Sequence, residues 1–193
     1  GSKNVGLHIL KNAAVVHPGQ KHIKKVICEL GGKNATIIDN DADLDEAVVG
    51  VLHSAFGFQG QKCSACSRVI VLDEIYDKFV GRLVEAAKSI FVANAEVPDS
   101  FVGPVIDAEA QARILRMIET GKSEAKLAMQ VEVPNAGYYV PPTIFVDVNP
   151  KAAIAQDEIF GPVLAVIRAK NIEAAIEIAN DVDYALTGGV FSR

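Results

Sequence analysis

Tryptophan is absent from this 193-residue chain, and only three cysteines and two methionines occur. An odd, small number of thiols cannot make the paired framework on which small secreted domains rely. A reducing compartment, the cytoplasm, is the expected setting. No apolar run approaches the roughly 18–20 residues that cross a bilayer, so no spanning helix is expected. The start also lacks the basic, apolar and small-residue order of a signal peptide. Positive charge is in deficit, with 19 Lys and Arg against 24 Asp and Glu and a formal net charge of −5. A surface of that sign repels a phosphate backbone, so nucleic acid is not an expected partner. The Gly-x-Gly-x-x-Gly signature of a dinucleotide fold is missing. The cysteines and four histidines form no second paired motif, and no metal site is expected.

What is present reads as one globular domain over residues 1–193, with 50% hydrophobic and 22% charged residues. Ser2 can cap a helix over residues 3–16, ended by Pro18-Gly19. Apolar runs predict buried strands at 26–30, 35–39, 68–72 and 163–167. Further strands are expected at 127–133, at 138–148 (an edge strand, because Pro141-Pro142 interrupts it) and at 186–191. Helices are predicted from Leu44 with Asp43 as cap and Glu46 in the capping-box position, over 74–93, over 107–120 with Gly121 as its stop, and over 172–180. Strands alternating with helices predict an α/β fold: an open, twisted, mostly parallel sheet covered by helices on both faces.

Three positions can carry chemistry. Cys63 lies in Gly60-Gln61-Lys62-Cys63-Ser64-Ala65-Cys66, a small-residue loop with a lysine beside the thiol. A nearby cation or well-placed N–H groups raise the reactive thiolate fraction there. Glu29 ends an apolar run just before Gly31-Gly32, where a carboxylate is either structurally paired or a general base. Glu158 lies in Glu158-Ile159-Phe160-Gly161-Pro162, a turn on which a carboxylate can accept from ribose hydroxyls while Phe160 packs on a flat ring. Each feature alone has an ordinary structural reading.

Glu-Leu-Gly-Gly-Lys (29–33), Gly-Gln-x-Cys (60–63), Glu-Ile-Phe-Gly-Pro (158–162) and Leu-Thr-Gly-Gly-Val (186–190) occur in that order. With these motifs the chain resembles the catalytic domain of the NAD(P)-dependent aldehyde dehydrogenase superfamily over essentially its whole length. The wording from Ser54 to Ala65, and Pro18-Gly19-Gln20-Lys21-His22, is most similar to the branch that oxidises L-glutamate γ-semialdehyde. The resemblance implies that Cys63 attacks the aldehyde carbon and that Glu29, 34 residues earlier, activates the water that hydrolyses the thioester. It implies NAD as cofactor, with NADP not excluded. Glu158 would bind the nicotinamide-side ribose with Phe160 packing nearby, and Gly1, Ser2, Leu30 and Gly31 would also lie at the cofactor. Lys62 and Ser64 would flank the aldehyde, and Phe56 would supply an aromatic wall.

By the same resemblance an upstream cofactor-binding domain, which supplies an oxyanion-binding asparagine, and a C-terminal segment with an oligomerisation arm complete the enzyme. The expected partners are therefore a small aldehyde, that cofactor domain and further copies of the protein, and this stretch alone is expected to be inactive. Cys66 departs from the family pattern, which has a small residue there, usually glycine. Cys63-x-x-Cys66 leaves a thiol redox module open as an alternative, as is another aldehyde substrate or a purely interacting module.

Overall fold

A computed structural model describes all 193 residues. Helix α1 (Lys3–Ala13) starts where Ser2 Oγ accepts from the Val5 N–H, as the cap reading expected. An irregular segment then leads to β1 (Asn34–Ile38), α2 (Leu44–Phe56), β2 (Cys66–Leu72) and α3 (Tyr76–Ala87). Next come α4 (Ala108–Glu124), β3 (Lys126–Gln130), β4 (Thr143–Val146) and a single turn, α5 (Ala153–Gln156). The chain continues through β5 (Val163–Ala169), α6 (Ile172–Asn180) and β6 (Gly188–Phe191). The six strands form one sheet in the order β3-β4-β5-β2-β1-β6. Every neighbouring pair is parallel except β3 with β4.

Strand alternation divides the core in two. Val69 and Val71 of β2 and Ile144 of β4 pack on one face with α2 and α3. Ile70 and Leu72 of β2 and Phe145 of β4 pack on the other with α4 and α6. Both faces of the sheet are thus covered, which is why its strands read as continuous apolar runs. Arg68 is fully buried on β2, where its guanidinium donates to the carbonyls of Lys33, Ile178 and Ala179. That ties the entry of β1 to the end of α6.

Several boundaries differ from the sequence reading. Residues 26–30 form no strand. Ile27 and Cys28 are exposed, because no neighbouring strand offers them a ladder and the sheet begins only at Asn34. The helix expected over 74–93 is shorter: a 3-10 turn covers Asp73–Ile75, and past Lys88 the chain becomes extended to bridge Val92 to Val102. Helix α4 runs through Gly121 to Glu124. A methyl group on Gly121 would lie 2.7 Å from the Phe145 ring, so this glycine admits a close approach and does not stop the helix. Strand β4 is interior; the edge position expected of it belongs to β3. Glu46 N–H donates to the Asp43 cap at 3.4 Å, alongside Asp45 N–H at 3.1 Å.

Candidate functional site

Cys63, Glu29 and Glu158 converge on one cleft of about 760 Å³, whose lining also includes Gly1, Ser2, Leu30, Gly31, Gln61, Lys62, Arg113 and Phe160. Three separated stretches build it. The first is the irregular run before β1. Leu30 packs its methyl groups where a side chain on Gly6 of α1 would stand, 3.0 Å from that Cβ position. The Gly1 nitrogen lies 3.3 Å from the Glu29 carbonyl oxygen and donates to it. These contacts hold Glu29 on the cleft wall as an exposed carboxylate that accepts from no protein group. A strand pairing at 26–30 would have committed this backbone to the sheet.

The second stretch is the loop between α2 and β2. Phe58 and Gln59 both adopt left-handed backbone angles, with φ of 53° and 57°. Two consecutive residues there are costly and are kept only where surrounding contacts over-determine them. Gly60 follows at φ 65°, and a Cβ on it would fall 2.3 Å from the Gly161 carbonyl oxygen. This closeness presses the loop against the turn that carries Glu158. Ala65 N–H then donates to the Lys62 carbonyl at 3.1 Å, closing a four-residue turn with Cys63 and Ser64 at its centre. Cys63 is exposed at the cleft and its own N–H has no protein acceptor. A free thiol beside a free N–H can add to a carbonyl carbon while that N–H meets the oxygen.

The third stretch is the turn before β5. Gly32 N–H donates to Glu158 Oε1 at 3.0 Å. A Cβ on Gly31 would lie 2.2 Å from Glu158 Oε2, so only glycine admits this carboxylate. Phe160 stands beside it at φ 52°, partly exposed. A half-buried carboxylate and an exposed ring on adjacent cleft wall fit a ribose and a flat heterocycle.

Not every expected residue belongs to this cleft. Phe56 is completely buried among core residues under α2 and α3 and cannot wall the site. The exposed aromatic of the loop is Phe58, whose ring lies under Lys62 Nζ at 5.9 Å, outside the cleft lining. Ser64 is exposed on the turn but does not line the cleft. Cys66 is buried: it accepts from Thr36 Oγ1 at 3.3 Å, and burial pushes its thiol up to about 11. A partner thiol for Cys63 needs access and a thiolate, so this burial removes the ground for the Cys63-x-x-Cys66 redox alternative. Gln61 and Arg113 were not anticipated. Gln61 stands within the quoted motif and accepts from Ile106 N–H at 3.2 Å. Arg113 comes from the middle of α4, donates to the Ile159 carbonyl and carries no local sequence signal.

The description "Aldehyde dehydrogenase family" matches residues 1–193. The 1-pyrroline-5-carboxylate dehydrogenase of Anoxybacillus flavithermus is 49% identical over all of this chain, which covers 38% of that protein. That of Bacillus subtilis is 45% identical with the same coverage. Proline utilization A from Bdellovibrio bacteriovorus superposes with a TM-score of 0.97 at 64% identity, over all of this chain and 20% of that one. A Thermus 1-pyrroline-5-carboxylate dehydrogenase solved with bound NAD superposes at 0.93 and 47% identity, over all of this chain and 37% of that one. The chain thus spans about two-fifths of the length of the curated relatives it matches. No helix is long and apolar enough to cross a membrane. With the match running from the first residue to the last, the chain belongs to the aldehyde dehydrogenase family.

Proposed function

We propose that the chain carries the nucleophile and base of an NAD-dependent aldehyde dehydrogenase. Its substrate would be L-glutamate γ-semialdehyde, the open-chain form of 1-pyrroline-5-carboxylate, and its product L-glutamate. The observation that supports this reading is the convergence of Cys63, Glu29 and Glu158 on one cleft from three separated stretches. The substrate assignment leans on the likeness to 1-pyrroline-5-carboxylate dehydrogenases.

Cys63 Sγ, as thiolate, adds to the aldehyde carbon; the C–S bond forms and the carbonyl π pair becomes an alkoxide. The free Cys63 N–H is available to that oxygen. Glu158 and Phe160 would hold the ribose and ring of the cofactor, with Gly31 leaving room for the carboxylate. When bound, the nicotinamide is the hydride acceptor that oxidation of an aldehyde requires. Glu29 takes a proton from water as that water attacks the thioester carbon. The C–S bond then breaks, and Cys63 leaves as thiolate. Lys62, exposed on the cleft lining next to Cys63 in the chain, offers a cation to a carboxylate-bearing substrate. A reducing cytoplasm, where Cys63 remains a thiol, is part of this reading. So are the expected partners: α1 presents Val5, Leu7, Ile9 and Leu10, each about half exposed, an apolar face for the cofactor domain expected upstream or for a further copy of the protein.

The test is aldehyde-dependent NAD reduction by the full-length protein. Cys63→Ala is expected to abolish it. Glu29→Gln is expected to give a burst of about one NADH per site and then stall as the thioester. Undiminished turnover in either variant removes that residue from its role.

A further inference from the structure

We propose that Asn34 is the positioning residue of the nucleophile, its side-chain amide locking the central peptide of the Cys63 turn in one orientation. The inference rests on the reading above only in taking Cys63 as the nucleophile. In a four-residue turn, the peptide between the two central residues can rotate through about half a turn while the ends stay nearly fixed, which interconverts the two common turn types. Here the turn is Lys62–Ala65, closed by the Ala65 N–H bond to Lys62. The rotatable peptide is the one joining Cys63 to Ser64, and its oxygen is the Cys63 carbonyl.

That oxygen is held from the buried side. Asn34 Nδ2 donates to it at 2.8 Å and to the Ala65 carbonyl at 2.8 Å, so both protons of one NH2 group span the turn. Asn34 Oδ1 accepts from Thr187 N–H at 3.3 Å. The amide cannot exchange its ends, because that would set its oxygen against two carbonyls. The side chain is 6% exposed, so water does not compete for these bonds. Gly32 closes the same side: a Cβ there would be 2.5 Å from the Cys63 oxygen. On the other side the N–H groups of Cys63 and Ser64 have no protein acceptor. With Asn34 in place, the open side of the turn carries N–H dipoles, which favour thiolate and alkoxide. Without it the Cys63 oxygen is free to swing to that side, where a carbonyl oxygen opposes both. The segment Gly32–Asn34 therefore grips Glu158 with its first N–H and the nucleophile turn with its last side chain.

The experiment compares the full-length protein with Asn34→Ala. Alkylation of Cys63 and Cys28 by iodoacetamide is followed by peptide mass spectrometry from pH 6 to 9, and melting is recorded separately. Cys28, exposed and outside the turn, is the internal standard. The expected result is Cys63 labelling slowed about tenfold or more with its pH midpoint moved upward, and Cys28 unchanged. Turnover should fall in kcat by a similar factor, with KM for NAD within about threefold. Cys63 labelling within about twofold of the unsubstituted rate in a folded variant overturns the proposal. Should Asn34→Ala not fold, Asn34→Ser, which keeps one donor but cannot span two carbonyls, carries the same expectation and the same refutation. If the unsubstituted protein does not reduce NAD with aldehyde, the dehydrogenase reading fails, while the labelling comparison still decides the role of Asn34.

Discussion

Gly31 and Gly32 are neighbours, yet a methyl group on each meets a different functional atom. On Gly31 it meets Glu158 Oε2 at 2.2 Å, the movable end of a side chain; on Gly32 it meets the Cys63 backbone oxygen at 2.5 Å. Gly31→Ala should therefore leave the fold intact and push the carboxylate aside, raising KM for NAD about tenfold with little change in kcat. Gly32→Ala displaces the nucleophile's own backbone and should lower kcat about a hundredfold. Steady-state kinetics separates the two, and equal effects on KM from both would contradict this division. Alkylation near pH 7 should label Cys63 and Cys28 but spare Cys66, whose burial holds its thiol near 11; early labelling of Cys66 would reopen the redox alternative. Sequence locates a functional atom along the chain more readily than in space. Cys63, Glu29 and Glu158 stand in short motifs whose spacing is itself the signal. Phe56 stands in one too, but a motif fixes a position along the chain and not the direction of a side chain, and this ring turned into the core. Arg113 reaches the cleft only because α4 packs across the sheet, so nothing local announces it.

The elements were most legible where one sequence feature had one structural use. Helix α2 begins at its Asp43 cap as expected, and β2 and β5 are interior strands because their apolar runs serve two covered faces. The run at 26–30 misled because apolar content is necessary for a buried strand but does not supply a partner. Gly121 misled in the opposite way. Glycine stops helices through left-handed backbone, yet it also serves where a ring must come close. A substitution distinguishes these uses. The Cβ of Gly121→Ala would press on two Phe145 ring atoms at 2.7 Å and on Ile154 at 3.2 Å. Overpacking of this kind costs about 1–3 kcal/mol, whereas in an unstrained helix interior the same change stabilises by about 0.5–1 kcal/mol. Urea unfolding should show a loss; a gain would mean that Phe145 moves freely aside.

Across the whole molecule, the response of stability to pH carries the mark of one buried amine. Lys33 is 1% exposed and its Nζ has no hydrogen-bond partner. Burial, aided by the neighbouring positive charge of Arg68, lowers it to about 7; Asp157 and Glu158 pull the other way without prevailing. Arg68 cannot yield, since its guanidinium is committed to the carbonyls that join β1 to α6. In the folded chain Lys33 thus gives up its proton near pH 7, and in the unfolded chain near 10.5. Between those values the unfolded state holds the extra proton, so this group makes stability rise with pH. Below pH 7 both states are protonated and the cost of burying the charge stands in full. Lys33→Met keeps the length of the side chain and removes the charge. It should stabilise the protein near pH 7 by about 1–4 kcal/mol, and the difference should shrink steadily towards pH 9.5. Urea midpoints of the two proteins at pH 7, 8 and 9 measure this directly, because titrating groups not coupled to Lys33 cancel in the comparison. A difference that stays constant with pH would mean that Lys33 keeps its proton in the folded molecule, and so must have found a carboxylate, with Asp157 and Glu158 the nearest candidates.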